Sequence, residues 1–214
     1  MKFHPKRMLH LVIFAAILLA PGAQGANWEQ GVHYHELSEP QPVQTGEQIE
    51  VRELFWYGCP HCYSLEPFME NWLENKPGNA EYVPTPGVFH KRSEFHARAF
   101  YTFEALDITD QVHRDFYDEL HQRGNDIYNV SGLVEFVAGH GVEAEAARDA
   151  FDSFAVDANV RNAAQVFSKY GATGVPTLII DGRYRATVSS AGGHTQLLEL
   201  INFLVDKAAA QRDG

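Results

Sequence analysis

Cys59 and Cys62 are the only cysteines in a chain of 214 residues. A structural zinc site usually needs two Cys or His pairs at defined spacing, so half of one is missing. The eleven histidines supply no helix-spaced pair on an obvious common face that would complete it. No Gly-rich phosphate loop and no metal-ligand cluster occurs, and no metal, nucleotide or flavin cofactor is expected. Positive charge is scarce: 17 Lys and Arg stand against 28 Asp and Glu, for a formal charge of −11. A surface of that sign argues against nucleic acid as a partner. No internal repeat or low-complexity run stands out. Beyond the first 25 residues no apolar stretch reaches the roughly 20 residues of a membrane span.

The basic residues that do exist begin with an address. Lys2, Lys6 and Arg7 precede an apolar run, Met8 to Ala20, interrupted only by His10. Ala23-Gln24-Gly25 offers a small-x-small cleavage site. Residues 1–25 read as a secretory signal peptide, with Ala26 the first residue of the mature chain. An uncleaved anchor is the competing reading, but the run is short for a span. Removing three basic and no acidic residues takes the formal charge from −11 to −14. Export implies an oxidising compartment, in which a cysteine pair persists as a disulfide.

The stretch that organises the mature chain is Glu50-Val51-Arg52-Glu53-Leu54-Phe55-Trp56-Tyr57-Gly58-Cys59-Pro60-His61-Cys62-Tyr63. It reads as a buried strand over 49–57, a turn, and a helix from Pro60 to about Asn75. A Cys-x-x-Cys after a strand is a redox signature where a βαβ pattern surrounds it. Pro60 suits the first helical turn, where its missing N–H costs nothing. Cys59 then sits at the helix N-terminus beside the free amides of His61 and Cys62, where the helix dipole favours an anion. Such surroundings lower a thiol pKa. Stabilising the reduced thiolate makes the disulfide the oxidising partner. Cys59 is the attacking and attacked sulfur in this reading, and Cys62, one turn in, the resolving one. His61 adds a donor and, when protonated, a charge; a surface histidine at a helix start is the plainer alternative.

Strand alternation puts Ile49, Val51, Glu53, Phe55 and Tyr57 on one face. Glu53 interrupts that apolar row. A carboxylate buried there is costly and takes a raised pKa. It would accept or relay the proton of Cys62, unless it escapes to solvent near the sheet edge.

Phe55-Trp56-Tyr57-Gly58-Cys59-Pro60-His61-Cys62-Tyr63 resembles the active-site stretch of the DsbA family, bacterial periplasmic dithiol oxidases of the thioredoxin superfamily. The resemblance extends over nearly the whole mature chain. It implies an α/β fold, a central mixed β-sheet flanked by helices, with an inserted all-helical domain. The thioredoxin-like parts would be residues 26–90 and 156–214, and the insertion 91–155. Within the insertion, helices are expected from Ser93, Asp110 and Ser131 as caps, and over 143–154. Trp28 to Leu37 reads as an edge strand, and Ala80–Thr85 as a short strand limited by Pro84 and Pro86. Further on come a helix over 156–170, a strand over 178–180, a two-residue turn at Asp181-Gly182, a return strand over 183–188 and a closing helix over 195–210.

By the same resemblance, Val175-Pro176 corresponds to the cis-proline loop that faces the dithiol. In isolation such a bond is trans, cis occurring in about 5% of cases. The backbone of Val175 would pair with an extended substrate strand and hold its cysteine against Cys59, with Thr177 close to the sulfurs. The family also carries a buried acid at the position of Glu53, often with a lysine nearby. The next strand, Tyr82-Val83-Pro84-Thr85-Pro86, has none, which puts that charge pair in doubt. The implied function is oxidation of cysteines in newly exported polypeptides through a Cys59–Cys62 disulfide. The implied reoxidant is a membrane quinone-linked partner of the DsbB type, and the protein is expected in the periplasm as a monomer. Two rival readings use the same residues: a disulfide reductase or isomerase, and a peptide-binding holdase. A dimeric isomerase would need a dimerisation domain, for which no residues are left.

Overall fold

The computed structural model describes Met1 and residues 27–212; the expected signal peptide and cleavage site lie outside the described residues. Five strands form one mixed sheet: β1 (Tyr34–Glu36), β2 (Ile49–Phe55), β3 (Ala80–Pro86), β4 (Thr177–Ile180) and β5 (Tyr184–Ala186), in the order β1-β5-β4-β2-β3. Only β2 and β3 run parallel, and the other neighbours are antiparallel. Helix α1 (Pro60–Asn75) connects the parallel pair. Five helices separate β3 from β4: α2 (Lys91–Ala105), α3 (Thr109–His121), α4 (Val130–Ala138), α5 (Ala144–Phe151) and α6 (Phe154–Lys169). A short α7 (Val188–Ala191) and the closing α8 (His194–Arg212) complete the chain. This is the mixed sheet with flanking helices and a helical insertion that the resemblance implies.

Every residue of β2 is buried, the charged ones included. Ile49 and Val51 face a core made with Leu65, Met69 and Trp72 of α1 and with Leu200, Ile201 and Leu204 of α8. Leu54 faces the other way, against Tyr170 and Ile179. On that second face Arg52 donates to Glu50 at 2.8 Å and to Thr85 at 2.6 Å. Both charges are thereby partnered, the condition under which a buried ion pair is tolerated. A second core, with Phe100, Phe103, Phe116 and Val137 from the insertion, closes over Phe55, Tyr57 and Cys62.

Several expectations shift. The strand expected over 28–37 shrinks to Tyr34–Glu36, because a turn at Glu29–His33, with Gly31 at φ +84, breaks it. Strand β2 ends at Phe55, since Trp56 and Tyr57 already enter the turn. Strand β3 pairs with β2 along its full length despite its prolines; it is an edge strand, where a missing N–H costs no ladder bond. Helix α2 is capped by His90, not Ser93: His90 Nδ1 accepts from the Ser93 N–H at 3.0 Å and Ser93 Oγ accepts from the His90 N–H at 2.9 Å. Helix α3 begins at Thr109, with Asp110 in its first turn. Asn129 replaces Ser131 as the cap of α4. Helix α5 stops at Phe151, and Ser153 then caps α6, which starts two residues before Val156. The return strand is only Tyr184–Ala186, and α7 follows where it was expected to continue.

The turn at Asp181-Gly182 takes left-handed φ at both residues, +55 and +61, and the Arg183 N–H bonds the Ile180 carbonyl at 3.0 Å. The register pairs Ile180 with Tyr184, so Arg183 belongs to a loop one residue longer than expected. A Cβ on Gly182 would lie 2.1 Å from the Gln41 carbonyl oxygen. Gly182→Ala combines that clash with an unfavourable φ and is expected to cost about 2 kcal/mol or more. Urea unfolding measures it, and a loss below about 0.5 kcal/mol would show that the loop repacks freely.

Candidate active site

The site is built where β2 ends and α1 begins. Gly58 is required here, since a Cβ would meet the Trp56 ring at 2.3 Å. The Cys59 N–H bonds the Trp56 carbonyl at 2.9 Å, closing the turn. Cys59 then occupies the N-cap of α1 with extended backbone, and Pro60 opens the helix. The structure holds the pair as two thiols, the reduced form. Cys59 is 7% exposed and Cys62 is fully buried.

The two sulfurs are electrostatically unlike. The Cys62 thiol donates to the Cys59 sulfur, and this bond is the main cause that brings Cys59 down from 9.0 to about 6. The amides of Cys62 and His61 add to it against the cost of burial, and the His61 ring contributes least. Burial, the bond it gives to Cys59 and the nearby Glu53 all push Cys62 well above the ordinary thiol range. His61 itself is exposed, as is Pro60. When Cys59 carries its proton, it points at the Val175 carbonyl, 3.6 Å away.

Val175-Pro176 is a cis peptide bond. Pro176 and Thr177 are buried and Val175 half-buried. The Thr177 hydroxyl donates to the Gly174 carbonyl at 2.8 Å and so braces this loop. Beside the loop lies a groove of about 440 Å³ lined by His61, Ser64, Val175, Pro176, Val188 and His194, among others.

Glu53 is 1% exposed and does not reach solvent. Burial, with the Glu66 carboxylate as a second cause, raises it from 4.5 to about 8. In place of a lysine, the Tyr82 hydroxyl donates to Glu53 Oε2 at 2.7 Å. Sequence reasoning misses Tyr82, Glu66, His113 and His121. Glu66 lies four residues after Cys62, one helical turn along the same face, and that spacing is the signal that could have found it. His113 Nε2 stands 3.3 Å from Glu66 Oε1, and His113 Nδ1 stands 2.7 Å from the Tyr57 hydroxyl. His121 Nε2 lies 2.7 Å from the Tyr57 carbonyl, to which it donates. His96 is held down to about 4, chiefly by burial. It is therefore neutral, with Nδ1 accepting from Trp56 Nε1 at 3.0 Å and Nε2–H donating to the Ile127 carbonyl. Among the described residues, no group of three or more His, Cys, Asp or Glu is arranged to hold a metal ion.

A lowered thiolate at a helix N-terminus, a buried second thiol held protonated and a facing cis-proline loop on this sheet define a thiol–disulfide oxidoreductase of thioredoxin fold. A family model described as the DSBA-like thioredoxin domain matches residues 79–201. The chain is 34% identical to the thiol:disulfide interchange protein DsbA of Pseudomonas aeruginosa over 203 residues, 95% of this chain and 96% of that one. It is 36% identical to the DsbA of Pseudomonas syringae pv. tomato over 208 residues, covering 95% and 97%. The crystal structure of Pseudomonas aeruginosa DsbA superposes with a TM-score of 0.83 at 35% identity, over 87% of this chain and 97% of that one. The chain belongs to the DsbA family.

Two outcomes follow from the charge distribution. Replacing Cys62 with Ala removes the main donor to Cys59, so the midpoint of its ultraviolet thiolate absorbance should rise from about 6 toward the ordinary thiol value; a midpoint that stays put assigns the shift to the amides alone. Glu53 gives up its proton near 4.5 when unfolded and about 8 when folded. Its contribution to stability is full below pH 4.5 and is lost as the pH rises through 8. Glu53→Gln escapes that loss and still accepts from Tyr82. In urea unfolding of the reduced protein, its advantage over wild type should grow from pH 4.5 to 8, reaching about 1–3 kcal/mol. A pH-independent difference would mean that folded Glu53 binds no extra proton.

Proposed function

We propose that this protein oxidises cysteine pairs in polypeptides newly exported to the periplasm. The observation that carries this reading is the low pKa of Cys59 beside the high one of Cys62. Disulfide exchange favours the thiol that leaves best, and a stabilised thiolate in the reduced form makes the disulfide an oxidant.

In the first step a client thiolate attacks Cys59 Sγ of the Cys59–Cys62 disulfide. The Cys59–Cys62 bond breaks, its electron pair goes to Cys62, and Cys62 takes up a proton. Glu53 is the group assigned to supply that proton. In the second step the client's other thiolate attacks the client sulfur of the mixed disulfide. Cys59 leaves as a thiolate, which its helix amides and the Cys62 thiol stabilise. The client keeps the disulfide and the enzyme is left as the dithiol. Val175, Pro176 and Thr177 form the binding loop, the Val175 backbone pairing with an extended client segment. Backbone pairing tolerates many sequences, which suits a broad client range. Pro60 and His61 shape and polarise the helix start. Reoxidation falls to a membrane quinone-linked partner of the DsbB type. The protein acts as a monomer after cleavage of its signal peptide following Gly25, and residues 91–155 act as one helical insertion domain between the halves 26–90 and 156–214.

The redox equilibrium of the mature protein with glutathione, read by intact mass, tests the poise. The dithiol should persist in mildly oxidising buffer; a disulfide that survives reducing buffer would turn the reading to a reductase or a structural bridge. Cys59→Ser should abolish oxidation of a reduced client. If that variant instead retains full protective activity toward an aggregating client, the protein works as a holdase.

A further inference from the structure

The buried acid pair beneath Cys62 meets a half-buried histidine. Glu53 is sealed by the sheet and by Tyr82. Glu66 meets His113, whose side chain is 18% exposed. Tyr57, itself fully buried, holds the other ring nitrogen. This arrangement serves both charge states of the imidazole. Neutral His113 accepts the Tyr57 O–H at Nδ1 and presents Nε2 to Glu66 Oε1 at 3.3 Å. Protonated His113 keeps Nε2 beside Glu66 and donates from Nδ1 to the Tyr57 oxygen. The ring need not turn to take up or release a proton; only the Tyr57 hydroxyl hydrogen swings off Nδ1.

We infer that His113 is a positioning residue for the exchange reaction, acting through Glu66 to pass protons between solvent and the acid pair that serves Cys62. The inference rests on Cys62 being the leaving sulfur. When the disulfide opens, the electron pair of the broken S–S bond goes to Cys62 and a proton must follow it. If Glu53 gives up that proton, two carboxylates would share a buried site, which like-charge repulsion forbids. The pair therefore recovers one proton as a unit. It comes from solvent by way of His113, and one proton ends on Cys62.

The titratable groups around His113, its partners and the acid pair come from several elements. Helix α1 presents Glu66 and Cys62, with Glu70 at its surface against Arg114. The active-site turn presents Tyr57, β2 presents Glu53, and β3 presents Tyr82. Helix α2 brings Glu104, whose charge acts on Tyr57, and the neutral His96. Helix α3 itself adds Tyr117, whose buried hydroxyl has no protein partner and feels Cys62, Glu66 and Glu53. Arg114 on the same helix pairs with Glu70 and Asp118.

The test uses the oxidised mature protein, in which Cys59 has no proton to titrate. Its reduction by glutathione is followed from pH 5 to 8, and each rate is divided by the thiolate fraction of glutathione. For the wild type the normalised rate should fall about tenfold as pH rises, the effect of about one pK unit in the pair. His113→Gln keeps an N–H for Glu66 and an acceptor for Tyr57 but cannot titrate. Its normalised rate should lie near the low, high-pH wild-type level and stay flat from pH 5 to 7. A His113→Gln profile that matches wild type overturns the inference, since a purely structural role is rescued by glutamine. Glu53→Gln separates this result from the relay assigned to Glu53. If that variant keeps the wild-type profile while His113→Gln is flat, the Glu53 relay fails and the inference about His113 stands. A wild-type disulfide that glutathione does not open overturns both.

Discussion

One electrostatic inequality, between Cys59 at the helix N-terminus and the buried Cys62 beside it, sets the character of this protein. It assigns the charge to one cysteine and the proton to the other. The rest of the site enforces that assignment. The N-terminus of α1 offers amides to Cys59 and none to Cys62. The sheet places Glu53 beneath Cys62, where a second negative charge is resisted. A disulfide between two such sulfurs always breaks toward a state in which one partner is a comfortable thiolate. The poise is thus a property of position on one helix turn, and composition alone would not reveal it.

The helical insertion does more than cover the site. Its histidines grip the active-site turn at successive points. His96 takes the Trp56 indole N–H and ties it to the Ile127 carbonyl. His113 holds the Tyr57 hydroxyl, and His121 the Tyr57 carbonyl while stacking on Tyr63 at 4.8 Å. Around them, Phe55, Phe100, Phe103, Phe116 and Tyr117 pack edge-on or tilted. A turn that carries a reactive sulfur is thereby fixed by packing from one side and by the sheet from the other. Loops that carry chemistry are ordinarily mobile; this one is pinned.

Local chemistry makes part of this legible in the residues themselves. Helix α1 has the bounds that Pro60 and Pro77-Gly78 suggest, and strand parity puts Glu53 under the cysteines. What escapes is determined by reach across the fold. Tyr82 finds Glu53 because β3 pairs in parallel with β2 in a register that sets Val51 beside Tyr82 and Glu53 beside Pro84. A search for lysine at that place cannot see a tyrosine coming from the neighbouring residue of the same face. His113 lies some 50 residues from the motif, and only the packing of α3 on α1 brings it to Glu66. Likewise, the motif itself offers Cys59 its amides and His61, while the strongest support comes from the other cysteine. Capping by His90 breaks the usual preference for Ser, Thr, Asp and Asn, which is why Ser93 looks like the start of α2.

The two margins of the sheet carry a consequence of their own. One margin is β1, three residues long; the other is β3, with Pro84 and Pro86 in its second half. Short strands and prolines are the devices by which sheets refuse to recruit a further strand. If this protein's clients are unfolded chains, as proposed, it meets exposed backbone constantly, and an open margin would invite those chains to add on and stay. On the proposed reading, blunting both sides leaves the cis-proline loop as the place where backbone meets backbone. Contact with a client is thus steered toward the one spot where it can end in chemistry and release, not in a growing aggregate.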